Sequence, residues 1–349
     1  MPRIASVATA TPPHKVRQDD VKRLARAFFG SSIKEIDRYA SVFDNAAIET
    51  RSLAAPVEWF VERHGLGEVN DLWIEVACMI GAEAARKCLA AANLTPGDVD
   101  HIFFVSTTGL AAPSVDARLI TLLEMPRHTR RTPIWGLGCA GGVAGLARAS
   151  EYVRAFPYQR ALLVCVELCS ITFQYDDRSK RNLVAASLFG DGAAAVLVEG
   201  DAVGGTGPQI VATESTLFPD SLNLMGWDIV DSGMRVVFGA GIPRVVTNHF
   251  RSLATGFLAS NELSLEQIAH HIYHPGGTKV LQAYEQAGRL PKDALAHSWS
   301  VLREYGNMSS ATVLFVLKRF LDEGIAAGEH ALLSVFGPGF SSEMALLRG

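Results

Sequence analysis

The sequence predicts an α/β protein made of two halves, each a mixed sheet covered by helices. Three observations carry that expectation. Apolar, β-branched runs alternate along the chain with stretches of helical spacing, which is the pattern of strands and covering helices. Some of these runs are continuously apolar, as strands buried on both faces require. A glycine-rich stretch, "VGGTGPQ" (203–209), breaks the chain with such runs on either side of it. The length of 349 residues suits about two domains.

Taken in order, "HIFFVSTTG" (101–109) is β-branched and aromatic until it meets a glycine, and reads as a strand. "IWGLG" (134–138) reads as a strand ending in a turn, after which Cys139 opens a helix. "GGVAGLARASEYVRAF" (141–156) has helical spacing with small residues on its first turns. "ALLVCVELCS" (161–170) is a buried strand, and "GAAAVLVEG" (192–200) follows the turn "FGDG". In the second half "HHIYHPGG" (270–277) reads as a strand ending in a turn. "MSSATVLFVLKRFLDEG" (308–324) reads as a helix stopped by Gly324. "ALLSVFGPGF" (331–340) and "SEMALLR" (342–348) form a final strand pair. There is no short-period repeat and no low-complexity tail.

Composition narrows the function. With 48% hydrophobic and 19% charged residues, the chain can bury a large core. A net charge of −4 does not suit a nucleic-acid binder. The five cysteines are scattered without a C-x-x-C pair, which argues against a disulfide scaffold or a zinc ribbon. The start, "MPRIASVATATPPHKV", has too short an apolar run for a signal peptide, and no segment approaches the ~20 apolar residues of a membrane span. A cytoplasmic setting is expected.

Cys139 lies in "WGLGCAGG", at the start of the expected helix. A helix N-terminus or an adjacent imidazolium lowers a thiol pKa and makes the sulfur nucleophilic. Gly138, Gly141 and Gly142 are expected to bend the backbone and to let a substrate approach its N–H groups. A thiolate catalyst also needs a base and a donor. His274 stands at a strand end before Pro-Gly-Gly, and Asn307 stands before a helix; loop-edge positions of this kind carry chemistry in α/β proteins. Each also has a structural reading: a small core cysteine, a turn histidine and a helix N-cap. The Cys-His-Asn order also fits papain-like hydrolases, but their cysteine sits near the N-terminus in a different motif. His270, His271 and His274 could suggest a metal, yet two histidines four apart converge only on a helix, so no metal site is expected. "PDSLNL" (219–224) holds the Asp-Ser-Leu string of carrier proteins without their surrounding helices.

Five stretches together resemble the thiolase superfamily, and within it the type III polyketide synthases related to chalcone synthase. They are "GLGCAGG" around Cys139, "SLFGDGAAA" (187–195), "HPGGTKVL" (274–281), "YGNMSSAT" (305–312) and "FGPGFSSE" (336–343). "TTGLAAPSVDARL", "PIWGLGCAGGVAGLARA" and "ELCSITFQ" are most similar to bacterial alkylpyrone and alkylresorcinol synthases, which extend long fatty acyl starters. The resemblance implies a duplicated five-layer αβαβα fold, with 1–205 carrying the cysteine and 206–349 carrying the histidine and asparagine. It implies that Cys139 carries the acyl chain as a thioester, that His274 pairs with the thiolate, and that His274 and Asn307 donate to the malonyl thioester oxygen. Substrates would be acyl-CoA and malonyl-CoA with no separate cofactor, in a homodimer.

By the same resemblance Phe189 stands at the junction of tunnel and cavity. The second junction phenylalanine of the plant enzymes falls at Val236, with Phe238 two residues on. Ala112 replaces a methionine that plant enzymes extend into the partner's cavity, and Val335 replaces the first glycine of a C-terminal loop. Smaller groups at Val236 and Ala112 leave room for a long alkyl chain. Thr107, Cys169, Thr172, Trp227 and Ser309 match or neighbour cavity positions, Cys169 as a lining residue or a second thiol. Arg51 resembles an arginine near the CoA entrance of related condensing enzymes, with a solvated surface charge as the other reading. The implied activity is iterative decarboxylative condensation giving a pyrone or resorcinol-type product. A single-condensation ketoacyl synthase III fed by a carrier protein, and a non-enzymatic partner of the same fold, are the alternatives.

Overall fold

A computed structural model describes residues 1–349. The chain opens with β1 (Arg3–Ala10) and the short β2 (His14–Arg17), then α1 (Gln18–Phe29), α2 (Ile36–Asp44) and β3 (Thr50–Leu53). A long helix, α3 (Leu66–Ala91), leads to β4 (His101–Val105), α4 (Val115–Leu122) and β5 (Arg130–Ile134). Then come α5 (Gly141–Ala155), β6 (Arg160–Leu168), α6 (Lys180–Leu188) and β7 (Asp191–Glu199). The second half holds β8 (Gln209–Leu217), the hairpin β9 (Met225–Val230) and β10 (Gly233–Phe238), α7 (Ile242–Ala259) and β11 (Ile268–Tyr273). It finishes with α8 (Thr278–Gly288), α9 (Ala296–Tyr305), α10 (Thr312–Glu323), β12 (His330–Gly337) and β13 (Ser341–Arg348).

Nine strands join in the order β11-β12-β13-β8-β1-β7-β6-β4-β5. The first five in that order apart from β1 come from the second half; β1 is the seam, pairing with β7 along its length and with β8 only at Arg3. That single point of contact lets the sheet bend into two lobes. The apolar faces of both lobes close on α5 and α10, which share one core with residues as distant as Ile4, Leu163, Ile272 and Ala345. The long α3 covers the outer face of the first lobe, and α7 with α8 covers that of the second. The result is helix, sheet, helix, sheet, helix, the layering the family resemblance implies.

The glycine-rich 203–209 lies between β7 and β8, as expected. Two local readings change. The strand before Cys139 stops at Ile134, and residues 135–138 turn. The helix expected over 308–324 begins only at Thr312, after a separate 3-10 turn, Ser309–Ala311. Ser309 has φ of 47°, in the left-handed region, so an α-helix cannot run through it.

Candidate active site

Cys139 sits on a 3-10 turn, Gly138–Ala140, that runs into α5. Gly138 has φ of 47°, and its N–H donates to Thr107 Oγ1 at 3.0 Å. A Cβ there would stand 2.6 Å from Pro338 Cγ, so only glycine fits. Gly142 has a different role from the one expected. A Cβ on it would lie 2.3 Å from the Ser310 carbonyl oxygen, and one on Gly141 would lie 2.5 Å from Val105 Cγ1. Neither clears space for a substrate. Both let the start of α5 press against the turn Ser309–Ala311 of the other lobe, which brings the two halves of the site together.

Asn307 follows α9 and pairs with the strand-like end of α6. Its N–H donates to the Leu188 carbonyl at 3.0 Å, and the Gly190 N–H donates to the Asn307 carbonyl at 3.0 Å. The carboxamide oxygen accepts from the Ser309 N–H at 2.8 Å, a local turn bond; the N-cap of the turn Ser309–Ala311 is Met308 and that of α10 is Ala311, so Asn307 is not the helix cap. The amide nitrogen donates to the Gly276 carbonyl at 3.3 Å, which uses one of its two hydrogens. The Asn307 and Ser309 side chains both lie beside the Cys139 thiol and draw its pKa down.

His274 continues β11 past its last residue, its N–H donating to the Ser334 carbonyl at 2.9 Å. The ring is 2% exposed, and neither nitrogen has a partner. Gly276 packs against it: a Cβ there would be 3.6 Å from Nε2. The histidine and the asparagine are therefore joined through Gly276. On the next strand the Ser334 carbonyl also accepts from the Tyr284 hydroxyl at 3.4 Å; burial raises the Tyr284 pKa, and a thiolate at Cys139 would raise it further. The other two histidines turn elsewhere, His270 to Glu329 at 2.7 Å and His271 to the Tyr273 hydroxyl at 2.9 Å.

Burial dominates the electrostatics. It pushes the Cys139 thiol up to about 12, against the pull of Ser309 and Asn307, and the His274 imidazole down to about 3. The lowered thiol pKa expected from the helix start is thus overturned for the cysteine considered singly: the sulfur has lost its water. Glu167 adds to the effect on Cys139. This acid is wholly buried, and its own pKa is pushed up to about 7. It accepts from the Ser310 hydroxyl at 2.6 Å, the Thr107 N–H at 3.0 Å and the Thr108 hydroxyl at 3.1 Å. The sequence reading missed it; the signal was an acid inside an otherwise apolar strand run.

One apolar cavity, 15 of whose 19 lining residues are hydrophobic, has Cys169, Thr172, Phe189 and Val236 in its wall. The far side is built by α1, including Leu24 and Phe28, and by the turn Val57–Val61. Phe238 packs edge-on against Phe189 with ring centres 6.4 Å apart, so both candidate registers on β10 meet the same phenylalanine. Trp227 on β9 lies 6.1 Å from the Phe189 ring, outside the cavity lining. Thr107 and Ser309 are buried beside the Cys139 turn, and Ala112 is exposed. Cys169 is buried, and burial raises its thiol pKa well above the ordinary value, which suits a lining residue rather than a second nucleophile.

Arg51 departs from expectation. Its guanidinium is 1% exposed, and it donates to the Phe189 carbonyl at 2.7 Å and to Gln18 Oε1. A group held this way inside the protein does not meet CoA phosphates at an entrance.

The family models "Chalcone and stilbene synthases, N-terminal domain" and "C-terminal domain" match residues 3–202 and 209–349. A 1,3,6,8-tetrahydroxynaphthalene synthase of Streptomyces peucetius subsp. caesius is 42% identical over 354 residues, covering 99% of this chain and 92% of that protein. A 3,5-dihydroxyphenylacetyl-CoA synthase of Streptomyces toyocaensis is 32% identical, covering 99% and 90%. The crystal structure of 1,3,6,8-tetrahydroxynaphthalene synthase from Streptomyces coelicolor A3(2), described as a bacterial type III polyketide synthase, superimposes with a TM-score of 0.94. The two are 30% identical, and the match covers 99% of each chain.

Proposed function

Because the chain belongs to the chalcone and stilbene synthase family and is a type III polyketide synthase, we propose that it loads an acyl chain from acyl-CoA onto Cys139 and extends it with malonyl-CoA units. The observation that carries this reading is the close packing of Gly141 and Gly142, just past Cys139, on Ser310, three residues past Asn307, which sets the thiol beside the Asn307 carboxamide across the lobe boundary. In the proposed cycle, malonyl-CoA loses CO₂ and becomes a thioester enolate. Its negative charge develops on the thioester oxygen, toward which the free amide hydrogen of Asn307 and one ring N–H of His274 would point. Donors fixed in a dry site lower such a barrier by about 3–4 kcal/mol each. The enolate carbon attacks the thioester on Cys139, and the sulfur leaves as thiolate. The lengthened chain, now on CoA, returns to the cysteine and releases CoA. No cofactor takes part, because decarboxylation itself supplies the carbanion.

Phe189 and Val236 are proposed to sit where the malonyl group meets the cavity. An apolar face there disfavours a carboxylate and so favours its loss. The cavity beyond is apolar, which supports an alkyl starter and an alkylpyrone or alkylresorcinol-type product. A second reading has support from the 42% identical tetrahydroxynaphthalene synthase, namely that malonyl also serves as starter. Product mass spectrometry with malonyl-CoA, alone and across an acyl-CoA chain-length series without carrier protein, decides between them. Alkylated products rising with chain length support the first. A product formed only from malonyl-CoA, unaffected by added acyl-CoA, supports the second.

The division into 1–205 and 206–349 belongs to the same proposal and is supported by family models that stop at residue 202 and resume at 209. So does a homodimer. Leu110 and Trp135 are about half exposed beside the open edge of β5, and the Trp135 indole donates to the Gly109 carbonyl at 3.2 Å. A second copy covering that edge would shield them. No helix is long and apolar enough to cross a membrane, and a cytoplasmic setting is part of the proposal.

A further inference from the structure

We propose that Arg51 is a positioning residue: by capping the end of α6 it fixes the backbone that carries Phe189 and pairs with Asn307. The inference rests on the roles proposed above for Cys139, Phe189 and Asn307.

A helix ends with carbonyls that have no partner within it. In α6 those carbonyls are taken up by three different parts of the chain. The Ser187 carbonyl accepts from Gln18 Nε2 at 2.8 Å. The Leu188 carbonyl accepts from the Asn307 N–H, and the Phe189 carbonyl accepts from Arg51 Nη1 at 2.7 Å. Gln18 then turns its other atom, Oε1, to Arg51 Nη2. Gln18 and Arg51 thus form one clamp on two carbonyls two residues apart, Ser187 at the end of the helix and Phe189 just past it, and Asn307 is bonded to Leu188 between them. A cation is also the favoured charge at a helix C-terminus.

Placing a guanidinium here is costly. Arg51 is buried in the wall of an apolar cavity, and its Nε has no partner. Asp191, two residues beyond Phe189, offsets part of that cost through its charge. Its carboxylate is fixed in turn by the Ala54 N–H at 2.6 Å and the Ser170 N–H at 2.7 Å. A hydrophobic side chain would fill the same space with less desolvation. What it would not do is hold the Phe189 carbonyl. Without that bond, the segment from Leu188 to Gly190 is free to shift, and the Phe189 ring and the Asn307 carboxamide shift with it.

The test compares wild type with Arg51→Met, Arg51→Lys and Gln18→Met. Three rates are measured: acyl loading onto Cys139 by intact-protein mass, malonyl-CoA decarboxylation, and steady-state condensation. Each is normalised to folded protein by thermal melting. For Arg51→Met we expect kcat for decarboxylation and condensation to fall about tenfold or more, with the malonyl-CoA KM and the loading rate changing less than about threefold. Arg51→Lys keeps one donor and should recover part of the loss. Gln18→Met leaves Arg51 in place but unbraced and should show a smaller loss of the same kind, which keeps the test open if Arg51→Met does not fold. Unchanged condensation in all three variants overturns the proposal, as does a loss shared equally by loading and decarboxylation. A defect that vanishes with 3′-dephospho substrates overturns it too, in favour of a phosphate ligand. Acyl loading that survives in Cys139→Ala overturns the site assignment itself, and the clamp with it.

Discussion

Replacing Asn307 separates the two uses of one side chain. The carboxamide oxygen accepts from the Ser309 N–H at 2.8 Å, while the nitrogen donates to the Gly276 carbonyl at 3.3 Å and keeps one hydrogen free. Asn307→Ala removes everything: the turn bond to the Ser309 N–H is worth about 1 kcal/mol, and the orphaned Gly276 carbonyl costs about 1–3 kcal/mol more. That variant should be destabilised by roughly 2–4 kcal/mol, enough to lower its melting temperature visibly. Asn307→Asp keeps an oxygen to accept from the Ser309 N–H but, like alanine, removes the donor and leaves the Gly276 carbonyl unpaired, so the two variants share the loss of the donor and differ at the turn. One donor to a developing oxyanion is worth about 2.7–4 kcal/mol, or a loss of about 10²–10³ in rate. The assay is release of labelled CO₂ from malonyl-CoA, set against single-turnover acyl loading followed by intact-protein mass. Decarboxylation should fall by that factor in both variants, while loading onto the cysteine falls much less. Equal loss of the two activities in Asn307→Asp would refute the assigned role, because it would mean the side chain serves the thiol and not the enolate.

Three further substitutions probe the rest of the site. Val236→Phe adds about four carbons to the cavity wall and should displace roughly three methylenes of substrate; at ~0.8 kcal/mol each, kcat/KM for the longest starters should fall about 60-fold relative to short ones, and an unchanged chain-length profile counts against the cavity as the acyl site. Glu167 has a folded pKa pushed above its unfolded one, to about 7, so its contribution to stability is complete below the unfolded pKa and is lost as pH rises toward 7; Glu167→Gln should flatten the fall in melting temperature between about pH 5 and 7, and an identical slope would contradict the buried-acid assignment. His274→Gln should slow alkylation of Cys139 by iodoacetamide at neutral pH about tenfold and make it rise steeply with pH, whereas a wild-type profile would show that the imidazole does not assist the thiol.

Much of this molecule was readable in its sequence because the signals were local. Continuous apolar runs mark β6 and β7, and the positions of Cys139, His274 and Asn307 at element ends follow from glycine and proline punctuation. What the sequence hid were consequences of long-range packing. Gly141 and Gly142 look like room for a ligand, and only the fold shows Val105 and Ser310 occupying that room. Arg51 looks like a surface cation because arginine usually is one; its burial depends on Gln18, Phe189 and Asp191, 33 to 140 positions away. Glu167 was lost inside an apolar run because periodicity weighs a whole stretch and not its one exception.

The same burial explains both the quiet thiol and the proposed chemistry. A lone thiolate at Cys139 or a lone imidazolium at His274 is disfavoured by the absence of water. If the two charges formed together by proton transfer, each would become the other's counter-ion; an ion pair about 4 Å apart at an effective dielectric of about 20 gains about 4 kcal/mol, well short of the roughly 12 kcal/mol that a thiol at about 12 and an imidazole at about 3 put against the transfer. The pull of the Ser309 and Asn307 side chains is already contained in the thiol's value of about 12, so the resting pair is a neutral thiol and a neutral imidazole, and in the proposed loading step the proton moves as the sulfur attacks. During extension the requirement reverses. The cysteine is then a neutral thioester, and the anion to be stabilised is an enolate. A neutral imidazole, which burial maintains, keeps an N–H to donate and adds no fixed charge to hold the malonyl carboxylate in place. In the proposed cycle one dry compartment thus serves both steps with His274 neutral at rest, taking the thiol proton only as the sulfur attacks and donating an N–H while the enolate forms.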